Sequence, residues 1–128
     1  MIQTGLRGKA VMQVAQGNTA IEIGSGSVPV FATPMLVAIM ENAAINALDG
    51  MLPAGQSTVG TKIDVAHIAA TPIGLTVTAS ALLIEVEGRR LVFQLSAEDD
   101  TGAVGKGTHE RFIIDQEKFM AKVNAKKV

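Results

Sequence analysis

The chain has 128 residues, enough for one domain with a sizeable core. Its 11 Lys and Arg against 12 Asp and Glu remove any broad electrostatic case for binding nucleic acid. With no Cys, disulfides and thiol nucleophiles are excluded, and with no Trp, no Tyr and four Phe there is no platform for stacking bases.

Hydrophobic residues make up 48 % of the chain but aromatics only 3 %, so the core must be built from Val, Ile, Leu, Ala and Met. The opening segment, MIQTGLRGKAVMQVAQGN, lacks the apolar run of a secretory signal. The stretch Pro34 to Met40 is far shorter than the roughly 20 apolar residues of a membrane span. A soluble cytoplasmic protein is therefore expected, one domain over 1–128 with a charged tail from about 117, and with neither nucleic acid nor membrane as a partner.

In chain order, Ala10 to Val14 reads as a first strand, Gly17-Asn18 as a turn, and Thr19 to Ile23 as a second short strand by its alternation. Gly24-Ser25-Gly26-Ser27 is a loop. Thr33-Pro34 then signals a helix start, with Thr33 as N-cap and Pro34 at the first position, and Asp49-Gly50 a stop. Between them almost every residue is apolar or small, which predicts a long buried helix with Glu41 as its only ionisable group. Thereafter the pattern is strands: Thr58 to Ile68, Leu75 to Val86, Leu91 to Ala97 and Ala103 to Ile114. Their turns fall at Thr71–Gly74, Glu87-Gly88 and Asp99–Gly102. Tight turns make successive strands antiparallel, and one helix lying on such a sheet is an α+β architecture.

Three residues stand out chemically. Glu41 is costly on a buried helix unless it is paired or protonated, so it is either a half-exposed helix Glu or a carboxylate held beside a substrate. Thr33, eight residues earlier, lies about 80° round and roughly 12 Å away along the helix, so the two can line one groove without touching. His67 ends a strand whose alternation puts Val59, Thr61, Ile63, Val65 and His67 on one face and Gly60, Lys62, Asp64 and Ala66 on the other. His109 and Glu110 add further metal-ligand types, but no HExxH-like spacing accompanies them, so no metal is expected.

The runs VFATPMLVAIMENAAINAL, GTKIDVAHIAATPIGLTVTASA, EGRRLVFQLSAEDD and GKGTHERFIID together resemble the fluoroacetyl-CoA thioesterase family and its hotdog relatives, over roughly Val30 to Lys122. The resemblance implies a hotdog fold, an antiparallel sheet wrapped around one long buried helix, assembled as a homodimer or a dimer of dimers. It also implies hydrolysis of an acyl-CoA thioester, with coenzyme A as part of the substrate and no separate cofactor. The family's catalytic Thr, Glu and His correspond to Thr33, Glu41 and His67, its oxyanion-binding Gly to Gly60, and an Arg, structural or on the CoA side, to Arg111. Thr33 or Glu41 attacks the carbonyl, or Glu41 and His67 orient water. Arg89, Arg90, Lys122 and Lys126 are the cations on offer for the CoA phosphates. Where the family has a lid with aromatics, this chain reads GSGSVPVFAT, with Phe31 alone. A general short-chain or medium-chain acyl-CoA thioesterase is thus expected rather than a fluorine-selective one. The alternative is a non-catalytic dimer binding acyl-CoA or another hydrophobic ligand.

Overall fold

A computed structural model describes residues 2–127. Strand β1 (Arg7–Gln13) leads through a short 3-10 turn into α1 (Ala20–Ile23) and then the long helix α2 (Thr33–Ala47). Four strands follow, β2 (Gln56–His67), β3 (Thr76–Glu87), β4 (Arg90–Asp99) and β5 (Gly102–Asp115), before the C-terminal helix α3 (Gln116–Asn124). All five strands form one antiparallel sheet in the order β1-β3-β4-β5-β2, which leaves β1 and β2 at its two edges. None of the described helices is long and apolar enough to cross a membrane.

The alternation of β3 explains how the sheet meets the helix. Val77, Ala79, Ala81 and Leu83 are buried, while the residues between them are only partly so. On β4 the buried set is Leu91, Phe93, Leu95 and Ala97. Facing them, α2 buries Leu36, Ile39, Met40, Ala43, Ala44 and Ala47. So many alanines let the backbones approach closely. The closest approach is at Gly8, where an added Cβ would lie 2.2 Å from the Ala43 carbonyl oxygen and 2.3 Å from the Ala47 nitrogen. No residue larger than glycine fits between β1 and the helix.

Two expectations are corrected here. Thr19 to Ile23 is not a strand: Thr19 makes only an isolated bridge to Phe31, and Ala20–Ile23 is one helical turn closed by Gly24 at φ +84°. The Ala20 and Ile21 amides donate to Val30 and Val28, so the segment folds back on its own loop and spends its backbone bonds there. The buried helix keeps one face in the open. Pro34, Ala38, Asn42 and Ile45 stay exposed along one stripe, Ile45 to 47 %. Lastly, Ala32 takes the N-cap position without a side-chain cap, so Thr33 is the first helical residue and its hydroxyl is free for other work.

The strand β2 carries the feature that decides the site. Its pairing with β5 shifts register between Gly60 and Lys62, so Gly60 faces Arg111 while Lys62 faces Glu110. The extra residue, Thr61, is a β-bulge. Simple alternation places Gly60 and His67 on opposite faces. The bulge cancels that parity and turns both towards α2.

Candidate active site

Thr33 and His67 meet. Thr33 Oγ1 lies 2.7 Å from His67 Nδ1. Two elements make the pair: the helix start, which leaves the hydroxyl uncapped, and the end of β2, where the bulge has set the inward face. Burial lowers the His67 pKa below its ordinary value of 6.5, with the Ala69 backbone opposing the shift. The ring is therefore neutral at pH 7 and able to accept a proton. With Nε2 protonated, the Thr33 hydroxyl donates to Nδ1. His67 Nε2 is buried and has no hydrogen-bond partner among the described residues. Beside the pair is a cavity of about 290 Å³ lined by Ser25, Val30, Phe31, Ile68 and Ala69 together with Thr33 and His67 themselves. Its walls are mostly apolar and small.

Glu41 lies elsewhere. Its carboxylate sits against Gly60, where an added Cβ would come within 2.7 Å of Oε2. Arg111 Nη1 approaches the same oxygen at 3.4 Å. Glu41 is not a buried lone carboxylate: its side chain keeps 39 % exposure and has a buried cation as partner. Arg111 is 5 % exposed and held by β2, its Nε donating to Thr58 Oγ1 at 2.8 Å and its Nη2 to the Thr58 carbonyl at 3.0 Å. Burial lowers the Arg111 pKa, opposed by Glu41. The guanidinium nevertheless stays a cation.

The five residues thus form two groups in one protomer: Thr33 with His67, and Glu41 with Gly60 and Arg111. Gly60 and His67 are separated by roughly 20 Å of strand. What neither composition nor spacing revealed is His109, 1 % exposed, which joins the second group through Arg111 at 3.1 Å. The available signal was its i, i+2 relation to Arg111 on one strand, which puts both on the same face. Glu110 points the other way, bound to Arg90 on the outer face at 2.8 Å, so it does not converge with His109. Arg90 is further paired with Glu85, and Arg89 with Asp115 at 3.5 Å.

The model of the family described as fluoroacetyl-CoA-specific thioesterase matches residues 14–117. The fluoroacetyl-CoA thioesterase of Streptantibioticus cattleyicolor is 52 % identical over 97 residues, covering 76 % of this chain and 70 % of that protein. A variant of the fluoroacetyl-CoA thioesterase FlK in complex with acetyl-CoA superposes with a TM-score of 0.92 at 41 % identity, covering 99 % of this chain and 100 % of that one. A thioesterase superfamily member from Thermus thermophilus superposes at 0.91 with 26 % identity, covering 99 % and 94 % of the two chains. The curled sheet packed on α2 is the hotdog fold.

Proposed function

The chain belongs to the fluoroacetyl-CoA-specific thioesterase family, and we propose that this thioesterase hydrolyses short-chain acyl-CoA thioesters, fluoroacetyl-CoA among them, at a composite site shared by two protomers. The observation that carries the reading is the Thr33–His67 pair at 2.7 Å on the wall of a small, mostly apolar cavity. A cavity of about 290 Å³ suits an acyl group of a few carbons. The relative at 52 % identity, a fluoroacetyl-CoA thioesterase, supports fluoroacetyl-CoA as one substrate.

The dimer supplies what one protomer separates. β2 is an edge strand, and an unpaired edge of twelve residues invites pairing. Antiparallel pairing of two copies of β2 over Gly60 to His67 sets Gly60 of one protomer opposite His67 of the other. The same two-fold axis covers the exposed stripe of α2 at Pro34, Ala38, Asn42 and Ile45. Thr33 and His67 then face the Glu41 carboxylate across the interface, with the thioester carbonyl between them.

In that arrangement either Thr33 attacks and gives its proton to His67, or Glu41 orients an attacking water whose proton passes to His67. Attack on the carbonyl carbon forms a tetrahedral oxyanion, which the Gly60 amide stabilises, a contribution of about 3 kcal/mol for a well-placed donor. Collapse breaks the C–S bond and releases CoA, its sulfur taking the proton held by His67. On the Thr33 route a water then hydrolyses the acyl-enzyme ester to the free acid, whereas direct attack by water gives the acid in one step.

Thiol release over a panel of acyl-CoAs tests the function, and light scattering at micromolar concentration tests the assembly. Turnover of acetyl-CoA or fluoroacetyl-CoA well above that of decanoyl-CoA, by a particle of twice the protomer mass, is expected. A monomer that is fully active would overturn the composite site. Preference for long acyl chains would overturn the substrate class.

A further inference from the structure

We propose that His109 is a positioning residue of the thioesterase, its Nε2 lone pair fixing the Arg111 guanidinium that in turn aims the Glu41 carboxylate at the substrate. The inference rests on the role given to Glu41 above.

The hydrogen-bond inventory of the cluster leaves one consistent arrangement. His109 Nδ1 lies 2.7 Å from the Lys62 carbonyl oxygen, which can only accept, so Nδ1 carries a proton. Arg111 Nη1, 3.1 Å from His109 Nε2, can only donate, so Nε2 is unprotonated. The ring is therefore a neutral imidazole, and its 4.0 Å approach to Glu41 is not an ion pair. Burial of the ring acts in the same direction, lowering its pKa below the ordinary 6.5, with Arg111 adding to the shift and the Lys62 carbonyl, Glu41 and Glu110 opposing it.

The ring cannot easily move. It is 1 % exposed and packs against Phe93 with ring centroids 6.3 Å apart. Lys62, its carbonyl anchor, stands immediately after the bulge that turns Gly60 inward. The Arg111 fork is thus held on three sides, twice by Thr58 and once by His109. Only its Nη1 is shared with Glu41, at the longer distance of 3.4 Å. His109 and Glu41 therefore bind the same nitrogen, and the imidazole decides where that nitrogen points. Without an acceptor at Nε2 the guanidinium can swing in its plane towards Glu41 and draw the carboxylate away from Gly60.

Two substitutions separate this role from simple anchoring. In His109→Asn the amide nitrogen can keep the bond to Lys62 but nothing reaches Arg111. In His109→Gln the longer side chain can place its carbonyl oxygen near the Nε2 position. The measurement is thiol release from acetyl-CoA by the full-length dimer, with melting temperature and light scattering confirming that each variant is folded. His109→Asn should lower kcat about tenfold, the scale of a sub-ångström misplacement, with KM unchanged, and His109→Gln should recover most of that loss. In an Arg111→Met background the Asn substitution should have no further effect. If Arg111→Met does not fold, Arg111→Lys serves, since an ammonium has no planar fork to orient. Equal losses for Asn and Gln, a loss that persists without Arg111, or no loss at all would each overturn the proposal. If Glu41→Gln and Arg111→Met are themselves fully active, the failure belongs instead to the catalytic reading of Glu41.

Discussion

Replacing Gly60 by Ala should disable the enzyme without unfolding it. The new Cβ would lie 2.7 Å from Glu41 Oε2, 3.2 Å from His109 Cε1 and 3.3 Å from Arg111 Nη1. To reach an ordinary contact of 3.4 Å the carboxylate must retreat by about 0.7 Å. It can do so cheaply, because it is the far end of a flexible and half-exposed side chain. Misplacing a catalytic group by about 1 Å costs on the order of a hundredfold, so kcat for acetyl-CoA should fall ten- to a hundredfold. The buried His109 and Arg111 must also yield by about 0.2 Å or less, a cost offset in part by the preference for Ala over Gly in a strand, up to about 1 kcal/mol, so stability should fall by less than in Gly8→Ala. Gly8→Ala is the matched control. There the Cβ meets the backbone of α2 at Ala43 and Ala47, which no side-chain rotation relieves. Overpacking of that kind costs at least about 1–3 kcal/mol, and the melting temperature should drop by roughly 5 °C or more. The assay is thiol release beside thermal melting, with all variants at one protein concentration because the proposed dimer would make stability concentration-dependent. A Gly60→Ala enzyme of near wild-type kcat, or one destabilised as much as Gly8→Ala, would refute the reasoning.

Three other outcomes are expected. Glu41→Gln and His67→Ala should each remain folded while kcat falls on the order of a hundredfold, measured by thiol release with circular dichroism as the folding check. The ratio of kcat/KM for fluoroacetyl-CoA over acetyl-CoA should be modest, on the order of 10–200-fold at most, because the stretch Gly24–Thr33 has Phe31 as its only aromatic side chain; a preference of several orders of magnitude would show that another element discriminates. Melting temperature should fall with acidification: His67 and His109 have folded pKa values below 6.5, so the unfolded chain takes up protons first as pH drops through 6.5. Their contribution is fully present above about pH 7 and is lost as pH falls below 6.5, and a melting temperature that stays flat on that acid side would contradict it.

Much of this architecture was readable without coordinates, and the misses share a cause. Helix α2 declared itself through Thr33-Pro34 at its start and Asp49-Gly50 at its end, and the hairpins through Gly88 and Asp99–Gly102. Identifying the Thr, Glu and His depended on the resemblance, since eight residues of helix do not say which side chains meet. The bulge at Thr61 was invisible because the inward residues before it, Thr58 and Gly60, are polar or small and so do not display the change of phase that it introduces. Its consequence was large, since it decides the face on which Gly60 stands. His109 was weighed beside Glu110 as a metal-ligand type, whereas its significance is its shared face with Arg111. Thr19 to Ile23 alternates like a strand, yet its amides bond locally to Val28 and Val30 instead.

The separation of Thr33 from Glu41 along α2 has a consequence for mixed populations. If Thr33 is the nucleophile, Thr33→Ala and Glu41→Gln subunits, each severely impaired as a homodimer, should rescue one another on exchange. In a hybrid particle one of the two sites receives both lesions, and the other receives the intact Thr33 of one subunit and the intact Glu41 of its mate. Random reassociation puts about half of the subunits' pairings into hybrids, so roughly a quarter of the wild-type rate should return, in keeping with two-fold symmetry. A site contained within a single subunit would return none. Genetic dominance follows the same rule: two defective alleles in one cell would yield a working enzyme, while either alone would not.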